Sequence, residues 1–322
     1  MANVLVTGGA GFIGSHLCDA LVAQGHAVRC LDDLATGNKA NLAQLEGHAA
    51  FTFIEGSITD PETCRQAVEG CTVVLHLAAL GSVPRSIAHP LDTEAANLGG
   101  FLNILEACRH GGVERLVYAS SSSVYGDSTA SPKQVGQEGR PLSPYAVTKA
   151  MDEAYAGMYR HLFGLEVIGL RFFNVFGERQ DPEGPYAAAI PRFLRRLLAH
   201  QPPQVHGDGL QTRDFTYVGN AVQAVIAAMA TRDERAPGGV FNVAVGESTD
   251  LLTLIGALRD RLAQDDPAIA AVGVEHVAER PGDVRDSLAD ITRTREVLGY
   301  APSHDLASGL DRAVPWYREH WG

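Results

Sequence analysis

A run of closely spaced glycines, Thr7-Gly8-Gly9-Ala10-Gly11-Phe12-Ile13-Gly14, joins a β-branched stretch, Asn3 to Thr7, to a helical stretch, Phe12 to Ala23. Gly8, Gly11 and Gly14 let the backbone turn tightly, approach a pyrophosphate and pack the helix against a sheet, with the helix N-terminus facing the negative charge. The G-x-x-G-x-x-G spacing is a variant of the G-x-G-x-x-G dinucleotide fingerprint, and no P-loop lysine follows it, which disfavours ATP hydrolysis. Asp32 closes the second predicted strand, Ala27 to Asp32, 18 residues after Gly14. A carboxylate there accepts hydrogen bonds from an adenosine ribose and repels a 2′-phosphate, so the expected cofactor is NAD rather than NADP. Asp33 adds a second negative charge before the turn through Gly37 and Asn38.

The rest of the first half alternates strands and helices, the pattern of an α/β doubly wound parallel sheet of Rossmann type. Strands are predicted at Phe51 to Glu55, Thr72 to His76, Arg115 to Ser120 and Glu166 to Arg171, with helices near Pro61 to Glu69, Pro90 to His110 and Pro144 to Phe163. After Arg171, Gly177, Pro182, Gly184, Pro185, Pro202, Pro203, Gly207 and Gly209 mark loops around one short helix. A helix at Asn220 to Ala230 and a strand at Val240 to Ala244 then return the chain to the sheet. The expected organisation is a nucleotide-binding domain over 1–174 with a return at about 215–245, and a smaller interleaved lobe over 175–214 and 246–322.

Charge and composition narrow the partners. With 26 Lys+Arg against 38 Asp+Glu the net charge is -12, so a surface that tracks nucleic acid is not expected, although local arginines suffice for a small phosphorylated ligand. The five cysteines, Cys18, Cys30, Cys64, Cys71 and Cys108, lie in apolar surroundings without C-x-x-C pairing and read as buried small hydrophobes. None of the 12 histidines has zinc-site spacing, so no metal is expected. The first Lys or Arg is Arg29 and no apolar run reaches the roughly 18 residues of a membrane span, which predicts a cytoplasmic protein without membrane attachment.

A second constellation carries the chemistry. Ser120-Ser121-Ser122-Ser123-Val124-Tyr125-Gly126 ends a predicted strand, where an open α/β sheet presents its ligands, and Tyr145-Ala146-Val147-Thr148-Lys149 opens a predicted helix. Tyr145 and Lys149 are four apart and share a helical face, and a neighbouring ammonium favours a phenolate, which makes a tyrosine usable as a base near neutral pH.

Together these residues resemble the extended short-chain dehydrogenase/reductase family of nucleotide-sugar epimerases and dehydratases, over almost the full chain. The resemblance implies that Ser121, Tyr145 and Lys149 surround the nicotinamide, with Ser122 and Ser123 as assistants. It further implies NAD contacts from Gly8, Gly11, Phe12, Ile13, Gly14, Asp32, Asp33, Gly37, Ser57, Ile58, Leu77, Tyr145, Lys149 and Val175. Dehydratases of the family place Asp-Glu before the V-Y-G and decarboxylases a glutamate, whereas this chain has Ser122 and Ser123; epimerisation at C4 is the chemistry left.

Arg171-Phe172-Phe173-Asn174-Val175-Phe176-Gly177 is similar to the family's R-x-x-N-V-x-G segment, whose asparagine contacts the sugar diphosphate. Arg213-Asp214-Phe215 and Arg280-Pro281-Gly282-Asp283 are similar to the stretches whose arginines, with the aspartate, hold UDP, a task suited to guanidinium forks. The loop Gly81-Ser82-Val83-Pro84-Arg85-Ser86 is similar to that of the subgroup acting on UDP-N-acetylglucosamine or its uronic acid. Ser287 stands where a bulky tyrosine would fill the space of an N-acetyl group. The implied activity is UDP-N-acetylglucosamine 4-epimerisation through a 4-keto sugar; UDP-glucose and UDP-uronate 4-epimerisation, and an NAD-sensing role, are the alternatives. Two positions depart from the family: Ser57-Ile58 replaces its usual Asp-Ile near the adenine, and Leu77 stands where close relatives show glutamine. The family's four-helix pairing implies a homodimer.

Overall fold

The computed structural model describes residues 1–181, 188–279 and 285–321. Seven parallel strands form the central sheet: β1 (Asn3–Thr7), β2 (Ala27–Asp32), β3 (Phe51–Glu55), β4 (Val73–His76), β5 (Arg115–Ser121), β6 (Glu166–Phe172) and β7 (Val240–Val243). Their order is β7-β6-β5-β4-β1-β2-β3. β4 is buried along its whole length, and its sequence Val-Val-Leu-His is a continuous apolar run up to its last residue, as a strand covered on both faces requires. The strand order reverses between β1 and β4, which opens a crevice at their carboxyl ends.

Eleven helices are described: α1 (Phe12–Ala23), α2 (Pro61–Val68), α3 (Val83–Ala88), α4 (Pro90–Glu94), α5 (Gly100–Gly111), α6 (Pro144–Phe163), α7 (Ala189–Leu198), α8 (Val218–Ala230), α9 (Leu251–Leu262), α10 (Thr292–Leu298) and α11 (Leu306–Trp321). One face of the sheet packs on Leu17 and Leu21 of α1 and on Ala224, Val225 and Ala228 of α8. The other packs on Ala67 and Val68 of α2, Phe101, Ile104 and Leu105 of α5, and Ala156 and Tyr159 of α6. A separate core gathers Phe193, Leu194 and Leu197 of α7, Leu254 and Leu258 of α9, and Leu310, Val314 and Tyr317 of α11. All five cysteines are buried free thiols.

The helix expected over Pro90 to His110 is interrupted: α4 and α5 are joined by a π-helical turn at Ala95–Gly99. Asn97 in that turn is buried, and its side chain accepts from the Leu80 N–H at 2.7 Å and donates to Thr148 Oγ1 at 3.2 Å. Those bonds tie the loop after β4 to the first turns of α6, and a widened turn at a ligand-facing position is a recurring use of π geometry. α3 is a further short helix that periodicity did not predict, started by Ser82, whose Oγ accepts from the Arg85 N–H at 3.2 Å.

Candidate active site

A cleft of about 1020 Å³ runs along the carboxyl ends of the strands. The glycine turn that leaves β1 lines it. Gly8 has φ +71°, and a Cβ there would lie 2.6 Å from the Ala78 backbone N. A Cβ on Gly14 would lie 2.1 Å from the Gly8 carbonyl oxygen. No side chain caps α1, so the amide groups of its first turn are left for a ligand in the cleft. Gly8, Gly11, Phe12, Ile13 and Gly14 all line it.

Asp32 ends β2 with its carboxylate accepting from the Ala10 N–H at 2.9 Å and the Leu34 N–H at 2.8 Å. It thus fastens the glycine turn while lining the cleft, and burial pushes its carboxyl above the usual range. Gly37 does not line the cleft; it packs beneath Asp32, where a Cβ would come within 2.8 Å of Oδ1. Asp33, Ser57, Ile58 and Leu77 line the cleft. The Ser57 hydroxyl donates to Asp33 Oδ2 at 3.0 Å and accepts from Thr59 Oγ1 at 3.0 Å, so it is engaged with its own neighbours.

The cleft is also lined by Ser121, Tyr145, Lys149 and Val175. α6 brings Tyr145 and Lys149 there because Ser143 caps it, accepting from the Ala146 N–H at 3.1 Å, with Pro144 in its first turn. Ser121 Oγ accepts from the Ser123 N–H at 3.1 Å, which orients the hydroxyl and leaves its hydrogen to donate. Beneath them Arg171 of β6 pairs through two nitrogens with Glu153 of α6, at 2.9 and 2.7 Å, and Glu153 accepts from Ser120 at the end of β5. Strand ends and helix are thereby held in one register. Such a site can move a proton at a substrate hydroxyl held between Ser121 and Tyr145.

The residues expected to bind substrate are only partly gathered. Arg85 lines the cleft; Ser82, Ser122, Asn174, Arg213 and Ser287 do not. Ser82 is spent on capping α3, and Ser122 sits in the 3-10 turn after β5. Asn174 Nδ2 donates to the Asp214 carbonyl at 3.0 Å, a link between segments rather than a cleft wall. Arg213 and Ser287 lie side by side, because Thr212 N–H donates to Arg285 O at 2.9 Å and Asp214 N–H to Ser287 O at 2.8 Å. Arg280 and Asp283 lie outside the described residues. Asp214, the middle residue of Arg-Asp-Phe, is fully buried, and its carboxylate accepts from the Val245, Gly246 and Ala289 N–H groups. Burial pushes it up to about 6.

Sequence reading missed Asn38 and Asn41 after β2, Gln180, and the aromatic end of α11, where Trp316, His320 and Trp321 reach the cleft. Trp316 and His320 stack with ring centroids 4.2 Å apart. The turn signal Thr36-Gly37-Asn38 was available for the asparagines, whereas nothing local links residue 316 to residue 180. Among the described residues no helix is long and apolar enough to cross a membrane.

A dinucleotide fits what is present: a turn stripped of Cβ atoms where the backbone must be approached, uncapped amides for a pyrophosphate, and a carboxylate at the end of β2 for a ribose. A family model, described as the NAD dependent epimerase/dehydratase family, matches residues 4–244. The UDP-glucose 4-epimerase of Mycolicibacterium smegmatis is 39% identical over 98% of both chains. The putative UDP-glucose 4-epimerase of Methanocaldococcus jannaschii is 35% identical over 98% of this chain and 99% of its own. Among solved structures, the UDP-N-acetylglucosamine 4-epimerase of Methanobrevibacter ruminantium, in complex with UDP-N-acetylmuramic acid, superimposes with a TM-score of 0.92 at 36% identity, covering 99% of each chain. The UDP-glucuronic acid 4-epimerase of Bacillus cereus, with UDP-glucuronic acid and NAD, superimposes at 0.90 and 30% identity, again over 99% of each. With the family's model spanning the sheet and these relatives spanning the whole chain, the protein belongs to the NAD dependent epimerase/dehydratase family and is an NAD-dependent enzyme.

Proposed function

We propose that the protein is a UDP-N-acetylglucosamine 4-epimerase, interconverting UDP-N-acetylglucosamine and UDP-N-acetylgalactosamine. The observation that carries the reading is the convergence of Ser121, Tyr145 and Lys149 in one cleft that the glycine turn also lines. Tyr145 takes the proton of the sugar C4 hydroxyl, and Ser121 donates a hydrogen bond to the same oxygen. Lys149 supplies a positive charge beside Tyr145. NAD, held by the glycine turn and Asp32, would supply a reversible hydride acceptor at C4. The resulting 4-keto sugar turns about its link to the diphosphate, and Tyr145 gives the proton back after reduction on the opposite face. Arg213 and Arg280 are assigned to the diphosphate, which guanidinium forks hold through charge-assisted hydrogen bonds, and Asn174 and Asp283 are assigned to the same ligand by the family likeness.

Support for an N-acetylated sugar comes from Ser287, a small residue whose backbone lies beside Arg213, and from the likeness to the Methanobrevibacter enzyme. Two relatives named as UDP-glucose 4-epimerases favour the second reading, UDP-glucose as substrate. A proton NMR time course with UDP-N-acetylglucosamine and, in parallel, UDP-glucose, without added cofactor, separates them. UDP-N-acetylgalactosamine appearing first is the expected result; faster formation of UDP-galactose overturns the sugar assignment. We also propose a homodimer, supported by the apolar side chains that α3, α4 and α6 expose, including Ile87 at 62%, Leu91 at 80% and Leu162 at 61%.

A further inference from the structure

Lys149 is one of only three lysines in the chain, with Lys39 and Lys133, and it is 2% exposed. One turn further along α6 stands Asp152, itself 1% exposed, with Oδ2 3.0 Å from the lysine Nζ. Its other oxygen, Oδ1, is buried and has no hydrogen-bond partner among the described residues. A buried ion pair with an unsatisfied oxygen is a poor device for stabilising a fold, since desolvation of both charges and of the orphan oxygen works against it. Its effect is to be sought on the lysine.

The groups around the pair leave Asp152 as the compensating charge. On α6 itself they are Tyr145 and Glu153, the latter committed to Arg171 of β6, which Glu138 also pairs. From β4 comes His76, which burial and then the nearby lysine push down to about 3, so it is neutral. From β5 comes Tyr118, which burial pushes well above the usual range, so it is a neutral phenol. The π-helical turn contributes the uncharged Asn97, bonded to Thr148. Burial alone pulls the lysine toward its neutral amine, while the Asp152 carboxylate is the strongest influence in the other direction, and the net direction is upward.

We propose that Asp152 is a positioning residue for the epimerase reaction, holding Lys149 through a buried ion pair at the edge of the cleft, beside Tyr145. The inference rests on the reading of Tyr145 and Lys149 given above. One of the three ammonium N–H groups is committed to Asp152, which leaves two for the cleft and fixes the direction in which they point. Replacing the carboxylate by an isosteric amide removes the charge and keeps the shape, so Lys149 loses its proton at much lower pH and the rate falls off on its basic side.

The test is competitive acetylation with trace acetic anhydride between pH 6 and 11, read by peptide mass spectrometry, on the wild type and on Asp152→Asn. Lys39, whose peptide is distinct, serves as the internal reference. In the wild type Lys149 gains reactivity only toward the top of this pH range. In Asp152→Asn the rise in Lys149 labelling moves down by about two pH units, a hundredfold more free amine at a given pH, and the basic limb of the epimerisation rate moves with it. A labelling curve and basic limb unchanged in the variant overturn the proposal, whatever happens to its thermal stability. Asp152→Ser, which keeps a small polar side chain, carries the same comparison if Asp152→Asn does not fold. Labelling that shifts in a protein whose wild type epimerises none of the UDP-sugars overturns the proposed reaction and leaves the hold of Asp152 on Lys149 standing.

Discussion

Tyr145 lines the cleft from the first turn of α6, and its proposed task needs only the phenolic oxygen. Tyr145→Phe removes that oxygen and keeps the ring. Turnover should fall by about a hundred- to ten-thousand-fold, the usual worth of a positioned acid or base, with the NAD content of the purified protein unchanged. Turnover within tenfold of the wild type removes Tyr145 from the mechanism. Asp214 makes a prediction about pH. Its carboxyl, held at about 6 by burial against an ordinary value of 3.8, keeps its proton in the folded protein between these two values, where the unfolded chain has already lost it. A raised carboxyl pKa favours the fold at low pH, and that contribution is lost as the pH rises through the folded value. Asp214→Asn is less stable throughout, because an amide oxygen cannot serve three backbone N–H groups. Between pH 4 and about 6.5 the gap to the wild type should narrow by on the order of 3 kcal/mol and then stay constant. Urea melts of both proteins across this range test it; a gap that widens toward neutral pH overturns the sign. Of these two residues, Tyr145 was legible from its spacing to Lys149, whereas Asp214 read only as part of Arg-Asp-Phe. Its role as the joint between the end of β7 and residue 289 depends on segments 31 to 75 residues away.

Among the elements, the turn from β1 into α1 is the least tolerant. The Gly14 Cα faces the Gly8 carbonyl so closely that a methyl group would meet backbone, which no side-chain rotation relieves. Gly14→Ala should therefore purify without NAD and with a lower melting temperature, both read from one preparation by absorbance and thermal melting; full NAD occupancy would show that the turn relaxes. α6 is the element that the sequence described most fully. Its span, Pro144–Phe163, and the paired Tyr145 and Lys149 stand where they were predicted, and its cap at Ser143 and its end at Gly164, with φ +72°, are local properties of the chain too. The helix before it was read as continuous; at the π-helical turn Ala95–Gly99, Asn97 reaches Leu80 and Thr148, a tertiary demand invisible to periodicity.

For the whole molecule, the apolar side chains of α6 turned away from the sheet, Met151, Tyr155 and Leu162, call for a partner surface if they are to leave water. Sedimentation velocity at micromolar concentration should give twice the chain mass, and Leu162→Glu together with Met151→Glu should give single chains with the fold retained. A wild-type monomer at that concentration ends the dimer proposal. The parallel sheet and the NAD turn could be named from the chain alone because glycine conformation, helix capping and the alternation of strands with helices are set within a dozen residues. The same locality explains why Asp32 at the end of β2 and the Tyr145–Lys149 pair were found by counting. What the chain alone left open was decided by where distant segments meet. The docking of α11, whose Tyr317 hydroxyl donates to the Gly177 carbonyl, brings Trp316 and His320 to the cleft, pairing of distant segments lays Arg213 against Ser287, and burial on every side turns Asp152 from one more acidic residue of α6 into the partner of Lys149. Packing across the sheet supplies those neighbours, and only neighbours remove the water that keeps a carboxylate and an ammonium independent of each other.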